Sequence, residues 1–389
     1  MSKSLTKLYR QRNLRQRRAQ VGLRNVLCLS SQVKPDYRRT KRVYARQMYA
    51  VSALVQARLS ELVSDSRTFI VCMGMPYCVF IVRVYRPMLK VYPAGPYRYQ
   101  LPLLHRVYRM LRFMRGETLN SLADIFGQDR STVQTDIQML VRLFATRVAP
   151  LYIQYPSIDS EEYRLMRGAG DFHQIPHCVY AGDVMSVEIG LPSLTNPSVD
   201  YDFKHHQHSK QVTFLVDGVA GLCRVMIGPT SGNAADKGIL DRSNFFRNVT
   251  KFVFVSNQKL GVCLKVGDCS RYLAPMDCIL YDGAFHETLF GYFYSPTTGY
   301  MSELRRIPQP AGTLANNARI RKARSIVEHF FSRLKGQWRI FNPFRLRRHN
   351  LKAYLYVAVA LTNIMLLFVT PLRDTRCVSR ECYYCNHNL

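Results

Sequence analysis

Asp183, Asp282 and Glu328 are the side chains whose settings could do chemistry. Asp183 interrupts Val179-Tyr180-Ala181-Gly182-Asp183-Val184-Met185-Ser186-Val187, a segment otherwise fit for a buried strand. Asp282 closes a second such run in Cys278-Ile279-Leu280-Tyr281-Asp282-Gly283-Ala284-Phe285. Either aspartate taken alone reads as a surface acid at a strand end. Glu328 belongs to an amphipathic helix whose apolar stripe runs through Ala323, Ile326, Val327, Phe330, Phe331 and Leu334. At about 100° per residue it lies just beside that stripe, with Arg321, Arg324 and Lys335 on the same side. Taken alone, that pattern is also ordinary ion pairing on a helix surface.

Together, the three acids point to phosphodiester chemistry. In-line attack on a phosphodiester requires an activated nucleophile, neutralised approaching charge and a stabilised leaving oxygen. Two divalent ions about 3.5–4 Å apart can supply all three. Mg2+, or Mn2+ in its place, prefers hard oxygen ligands and keeps water, so a few carboxylates from separate elements suffice. Empty, such carboxylates repel one another, and the metal relieves the repulsion. Arg321, Arg324 and Lys335 would then hold flanking phosphates.

Those acids need strands and a helix to position them. After about residue 170 the apolar residues run together and are rich in Val, Ile, Leu, Phe and Tyr, which predicts strands over Cys178–Ile189, Gln211–Asp217, Leu222–Ile227 and Met276–Tyr281. From about Ala315 the spacing becomes helical, so residues 170–372 read as a mixed α/β domain. Residues 47–150 read as helical. Thr118 to Gly127 forms a capped helix ending at glycine, and Gln128 to Ile137 opens another, with Asp129 or Ser131 able to cap it. Ala123, the glycine turn, Val133 and Ile137 suit a helix-turn-helix near residues 118–144. In that case Arg130, Ser131, Thr132, Gln134 and Thr135 face the major groove of double-stranded DNA. An ordinary antiparallel helix pair carries the same pattern.

Charge agrees with a polyanionic partner. The 389 residues carry 55 Lys and Arg against 26 Asp and Glu, a net +29, and 47% hydrophobic residues provide for a sizeable core. Residues 1–46 form a basic arm with fourteen Lys or Arg and one acid, Asp36. Such an arm is expected to stay disordered until it meets phosphate, and its clusters can act as nuclear localisation signals. Met1 to Arg18 lacks the apolar stretch of a secretory signal. The 11 cysteines follow no disulfide framework, which favours reduced thiols in cytosol or nucleus. In the tail, residues 373–389, Cys377, Cys382, Cys385 and His387 supply four zinc-type ligands around a Cys-x2-Cys core. Wrapping all four within a chain terminus weighs against zinc and towards an exposed, oxidation-prone tail. The apolar run Ala353–Pro371 approaches membrane-spanning length, but Thr362 and Asn363 in its middle make it a buried terminal helix.

The chain resembles the Harbinger-like transposases and their nuclease relatives, which carry a DDE superfamily endonuclease domain. The resemblance extends from about Leu101 to Pro371 and is most specific over Arg319 to Arg339, where Ala323-Arg324-Ser325-Ile326-Val327-Glu328 precedes Arg333-Leu334-Lys335-Gly336-Gln337-Trp338-Arg339. It implies that Glu328 is the third acid of a catalytic triad, Asp183 after Gly182 the first, and Asp282 before Gly283-Ala284-Phe285 the second. Asp236 matches a further acid of the family, structural or auxiliary in role.

The implied fold is RNase H-like: a mixed sheet flanked by helices, with the aspartates on neighbouring strands and the glutamate on a later helix, preceded by the helix-turn-helix domain. The implied activity is metal-dependent cleavage and joining of DNA at transposon ends, with water and then a freed 3′ hydroxyl as nucleophiles. It implies nuclear residence, a dimer or larger assembly, no membrane association and, as in the family, help from a Myb-like DNA-binding partner, without which the chain could stay cytoplasmic. Gly228-Pro229-Thr230 departs from the Gly and Trp more usual in relatives, which leaves the subfamily open. The alternative is a host-adopted derivative that binds DNA or protein without transposing.

Overall fold

The chain separates into two units, one helical and one in which strands and helices combine. The computed structural model describes residues 66–93, 101–167, 172, 175, 177–190, 197–234, 253–255, 262–264, 277–280, 293–294, 313–344, 346 and 350–369. By chain contacts the second unit is Ala145–Leu367, and nearly all of the first unit's described part lies within 66–144. The basic arm, Asp236, Asp282 and the tail with Cys377, Cys382, Cys385 and His387 lie outside the described residues.

The first unit is helical. Helix α1 (Ser66–Met73) precedes α2 (Tyr77–Val79), a π-helical stretch at Phe80–Tyr85 and α3 (Arg86–Val91). Then follow α4 (Leu103–Met114), α5 (Leu119–Phe126) and α6 (Arg130–Leu143). Local chemistry sets the α5–α6 junction as the sequence indicates. The Thr118 hydroxyl accepts from the Ser121 amide at 3.1 Å and caps α5. Gly127 ends the helix at φ 58°, in the left-handed region where a side chain would be strained. Val133 and Ile137 are buried, as expected of the inner face of α6. The expected α6 cap differs: Asp129 stands at the cap position in extended conformation, but its side chain makes no capping bond, and Ser131 already lies inside the helix.

The second unit carries the sheet. After α7 (Glu161–Met166) come β1 (Cys178–Glu188), β2 (Tyr201–Asp202), β3 (Gln207–Asp217) and β4 (Cys223–Ser231). The short strands β5 (Val253–Val255) and β6 (Val262–Leu264) pair with each other as a separate ribbon. Strands β7 (Cys278–Leu280) and β8 (Phe293–Tyr294) return to the main sheet, and α8 (Thr313–Gln337) and α9 (Leu351–Phe368) follow. Strand β3 runs antiparallel to β1, from Tyr180 opposite Asp217 to Glu188 opposite Ser209. On its other edge β3 pairs antiparallel with β4 and, at its start, with β2. Strand β7 lies parallel to β1 on the opposite side, and β8 parallel to β7. The result is a six-stranded mixed sheet in which four antiparallel strands, β1 to β4, are extended by two parallel ones.

Residues Val212 to Asp217 of β3 are buried without interruption, so a central strand covered on both faces accounts for the continuous apolar run seen in sequence. Helix α8 covers one face. Its buried residues Ala323, Ile326, Val327, Phe330 and Leu334 reproduce the expected stripe, which buried Ile320 extends and of which Phe331 is only half-buried, and Phe214 of β3 meets both Phe330 and Phe331 ring to ring.

Helix α9 is long and apolar enough to cross a membrane, yet 67% of it is buried within the fold. Its polar residues are the reason it belongs there. The Thr362 hydroxyl accepts from the buried Trp338 indole at 3.0 Å. Asn363 accepts from the Cys223 amide at 3.0 Å and donates to the carbonyls of Tyr152 and Cys223, both at 2.8 Å. A lipid-facing helix would leave these groups without partners. Asn363 thereby fixes the start of β4.

Candidate active site

Asp183 sits midway along β1, directly opposite Phe214 of β3 in the antiparallel register. Facing positions of such a pair lie on the same side of the sheet, so the carboxylate shares the α8 side with that ring. One carboxylate oxygen, Oδ1, accepts from the Val184 amide at 2.8 Å. The other, Oδ2, accepts from Arg324 of α8 at 2.9 Å. The second arm of the same guanidinium reaches Glu328 Oε1 at 3.3 Å, one helical turn further on. One cation thus lies between two carboxylates that are 145 positions apart in the chain, counting from 183 to 328. Exposure rises from Arg324 (15%) through Asp183 (22%) to Glu328 (57%), so the pair opens from a partly covered floor to solvent.

The third expected acid, Asp282, is outside the described residues. The strand that precedes it in sequence is described: β7 pairs in parallel with β1, and their last shared register, Ala181 with Leu280, falls two residues before Asp183 and two before Asp282 in sequence. Among the described residues no group of three or more metal-ligating side chains comes together. The two acids that are described offer hard oxygen donors converging on a site already held by a positive charge. That donor set fits Mg2+ or Mn2+.

The basic residues expected around Glu328 separate. Arg324 joins the acids, Arg321 is exposed, and Lys335 turns inward, donating to the Ser186 carbonyl of β1 at 2.9 Å. Burial holds the Lys335 ammonium below its ordinary range. The same helical side that carries Glu328 faces the strand backbone at this point, and the ammonium satisfies a carbonyl there. In the first unit Arg130, Ser131, Thr132 and Thr135 are exposed on α6 and Gln134 is half-buried, so that helix presents the expected residues outward.

Several buried acids escaped the sequence reading. Asp202 accepts from Ser186, Ser209 and Gln211 side chains and from the Lys204 and His205 amides, closing the β2–β3 turn. Burial opposes its ionisation, but the hydrogen bonds from His205 and Ser186 outweigh it and hold the carboxyl below its ordinary range. Asp217 caps the β3–β4 turn by accepting from the amides of Val219, Ala220 and Gly221, and pairs with Arg224 at 2.6 Å. Asp277, just ahead of β7, is pushed up by burial despite the Tyr163 hydroxyl and Arg167 that bind it. These acids are each occupied in fixing a turn or an element end. Nothing in local spacing distinguishes them, since their partners are far off in sequence.

Residues 183–363 match the family model of the DDE superfamily endonucleases. The match begins at Asp183, includes Asp282 and Glu328, and ends at Asn363, the residue that anchors α9 to β4. It is narrower than the resemblance from Leu101 to Pro371 and leaves the helical unit outside. No curated protein and no solved structure matches the chain. The match points to a nuclease, carried on a mixed sheet flanked by helices.

Proposed function

We propose that this chain is a DNA endonuclease of transposase type, in which Asp183, Asp282 and Glu328 hold divalent metal on an RNase H-like core. The observation that carries the proposal is the single guanidinium shared by Asp183 and Glu328: residues from a central strand and a late helix are brought to one point that attracts a cation. The strand order supports it, with four antiparallel strands followed by parallel ones and the first acid on a central strand. The family match over 183–363 supports it independently.

When bound, two divalent ions supply activation of the attacking oxygen and neutralisation of the leaving oxygen. The protein's own groups do the rest. Asp183, fixed by the Val184 amide, offers Oδ2 as a ligand from a rigid strand. Glu328 approaches from a helix whose buried stripe locks it against the same sheet face. Asp282 follows β7 and completes the donor set. Arg324, freed from the carboxylates, reaches the scissile or flanking phosphate as a planar two-pronged donor. Exposed Arg321 extends the same basic wall.

The finer reading is Harbinger-like. It includes recognition of transposon ends through α6, joining of a freed 3′ hydroxyl to target DNA, assembly as a dimer or larger, nuclear residence and cooperation with a Myb-like protein. It rests on the Arg319 to Arg339 block and on the basic arm. The test is incubation of purified full-length protein with supercoiled plasmid in Mg2+, Mn2+ or EDTA. Nicking that requires metal is the expected result. A chain that binds the plasmid yet leaves it intact in both metals, on cognate ends and with a Myb-like partner present, would be the DNA-binding derivative instead.

A further inference from the structure

The helical unit contains a cavity of about 380 Å3 between α4 and α6. Its floor holds two guanidiniums, Arg106 and Arg109, whose side chains are 3% and 1% exposed. Among the described residues one carboxylate, Asp136 of α6, stands between them, bonded to both. Arg106 also donates to the Tyr92 hydroxyl and Arg109 to the Gln128 side chain, both neutral groups. Two buried positive charges against one negative leave an excess of one among the described residues. The Nε–H of Arg109 has no hydrogen-bond partner among the described residues. Burial accordingly holds the Arg109 guanidinium below its ordinary range.

A buried charge without a counter-charge is costly, and folded chains keep one where a ligand compensates it. The cavity's other wall names the ligand. Ser131, Thr132 and Thr135 bring three hydroxyls to it from the first turns of α6, whose dipole also favours an anion. Guanidiniums paired with several hydroxyls suit a tetrahedral oxyanion with more acceptor positions than a carboxylate has. A water's share of volume is about 30 Å3, so the cavity has room for such an ion and several waters.

We infer that the cavity between α4 and α6 is a phosphate receptor, with Arg106 and Arg109 supplying the charge and Ser131, Thr132 and Thr135 the hydroxyl donors. The phosphate can be a phosphodiester of DNA or a free phosphate group; the receptor chemistry is the same. The inference does not depend on the nuclease reading of the second unit.

The test uses the full-length chain and inorganic phosphate, with chloride at matched ionic strength as reference. Two substitutions at an exposed cavity-wall residue are compared: Thr135→Glu, which introduces the missing negative charge, and Thr135→Gln, which is of similar size and neutral. Phosphate is expected to raise the melting temperature of the wild type saturably and more than chloride does. Thr135→Glu is expected to melt higher than wild type without phosphate and to bind phosphate at least ~10-fold more weakly by calorimetry, a difference of about 1.4 kcal/mol. Thr135→Gln, which loses one hydroxyl donor but adds no charge, is expected to show no such rise in melting and to bind phosphate more weakly than wild type but at least ~3-fold more tightly than Thr135→Glu.

A short duplex separates the two sources. If DNA supplies the phosphate, inorganic phosphate competes with the duplex, and Thr135→Glu weakens duplex binding more than Thr135→Gln does. If the ligand is free phosphate, saturating inorganic phosphate leaves the duplex affinity of the wild type the same as chloride does at matched ionic strength. Equal responses of wild type to phosphate and chloride would overturn the inference, as would equal phosphate responses in wild type and Thr135→Glu. Should Thr135→Glu fail to fold, 31P line broadening with wild type decides, and its absence at millimolar phosphate overturns the proposal.

Discussion

Replacing Arg324 by alanine should weaken the fold and strengthen metal binding at the same time. In the structure Arg324 occupies the point between Asp183 and Glu328 that a cation would take, so metal must displace it. The Asp183 arm is a charge-assisted hydrogen bond at a partly covered site, a type that contributes about 1.5–3 kcal/mol. The Glu328 arm, to a carboxylate that is 57% exposed, is screened by solvent and adds at most ~0.5 kcal/mol. A displacement cost of about 2 kcal/mol corresponds to roughly 30-fold in affinity at ~1.4 kcal/mol per decade. Arg324→Ala should therefore bind Mn2+ about 30-fold more tightly than wild type in titration calorimetry without DNA. In EDTA the same variant should melt ~4–8 °C lower, taking roughly 2–4 °C per kcal/mol for a unit of this size. Millimolar Mn2+ should restore most of that loss. Equal or weaker Mn2+ binding by Arg324→Ala would refute the reasoning, because a purely structural arginine yields the stability loss alone.

Two further outcomes follow from buried polar groups. His105 of α4 is buried, its Nδ1 has no hydrogen-bond partner among the described residues, and burial brings its pKa down to about 4. The unfolded chain therefore binds the extra proton between about pH 6.5 and 4, so stability is full above that window and falls as pH drops through it. The loss amounts to about 3 kcal/mol at the acid end. Urea denaturation at pH 7 and 4.5 should show this for wild type, with a smaller pH difference for His105→Leu. Equal pH differences in the two proteins would contradict it. Asn363→Leu should strip partners from the Cys223 amide and carbonyl and from the Tyr152 carbonyl, costing at least ~3 kcal/mol and lowering the melting temperature by ~6–12 °C. A shift under ~2 °C would mean that these groups find other partners.

Much of this architecture is legible in the sequence because it is local. The α8 stripe, the Thr118 cap and the Gly127 turn depend on residues within one or two helical turns, and the structure reproduces them. Asp183 and Glu328 could be singled out because each interrupts or borders an apolar pattern. What could not be read is pairing over distance. Arg324 and Lys335 look alike in sequence, both basic residues on the Glu328 side of one helix. Only the sheet beneath α8 decides that one meets a carboxylate and the other a backbone carbonyl. Asp136 likewise reads as a polar residue of an exposed helix, yet it turns towards Arg106 and Arg109 of α4, 30 and 27 positions away. Asp202 and Asp277 fall at strand ends, where an acid is unremarkable until its buried partners are known.

The central claim is that Asp183, Asp282 and Glu328 act together on a phosphodiester. The most direct test is single-turnover nicking of supercoiled or transposon-end DNA in Mn2+ by wild type, Asp183→Asn, Asp282→Asn and Glu328→Gln, each matched for melting temperature and DNA affinity. The account predicts that each substitution lowers the cleavage rate by at least ~10³-fold, about 4 kcal/mol of barrier, while DNA binding persists. Undiminished cleavage in any of the three would contradict it.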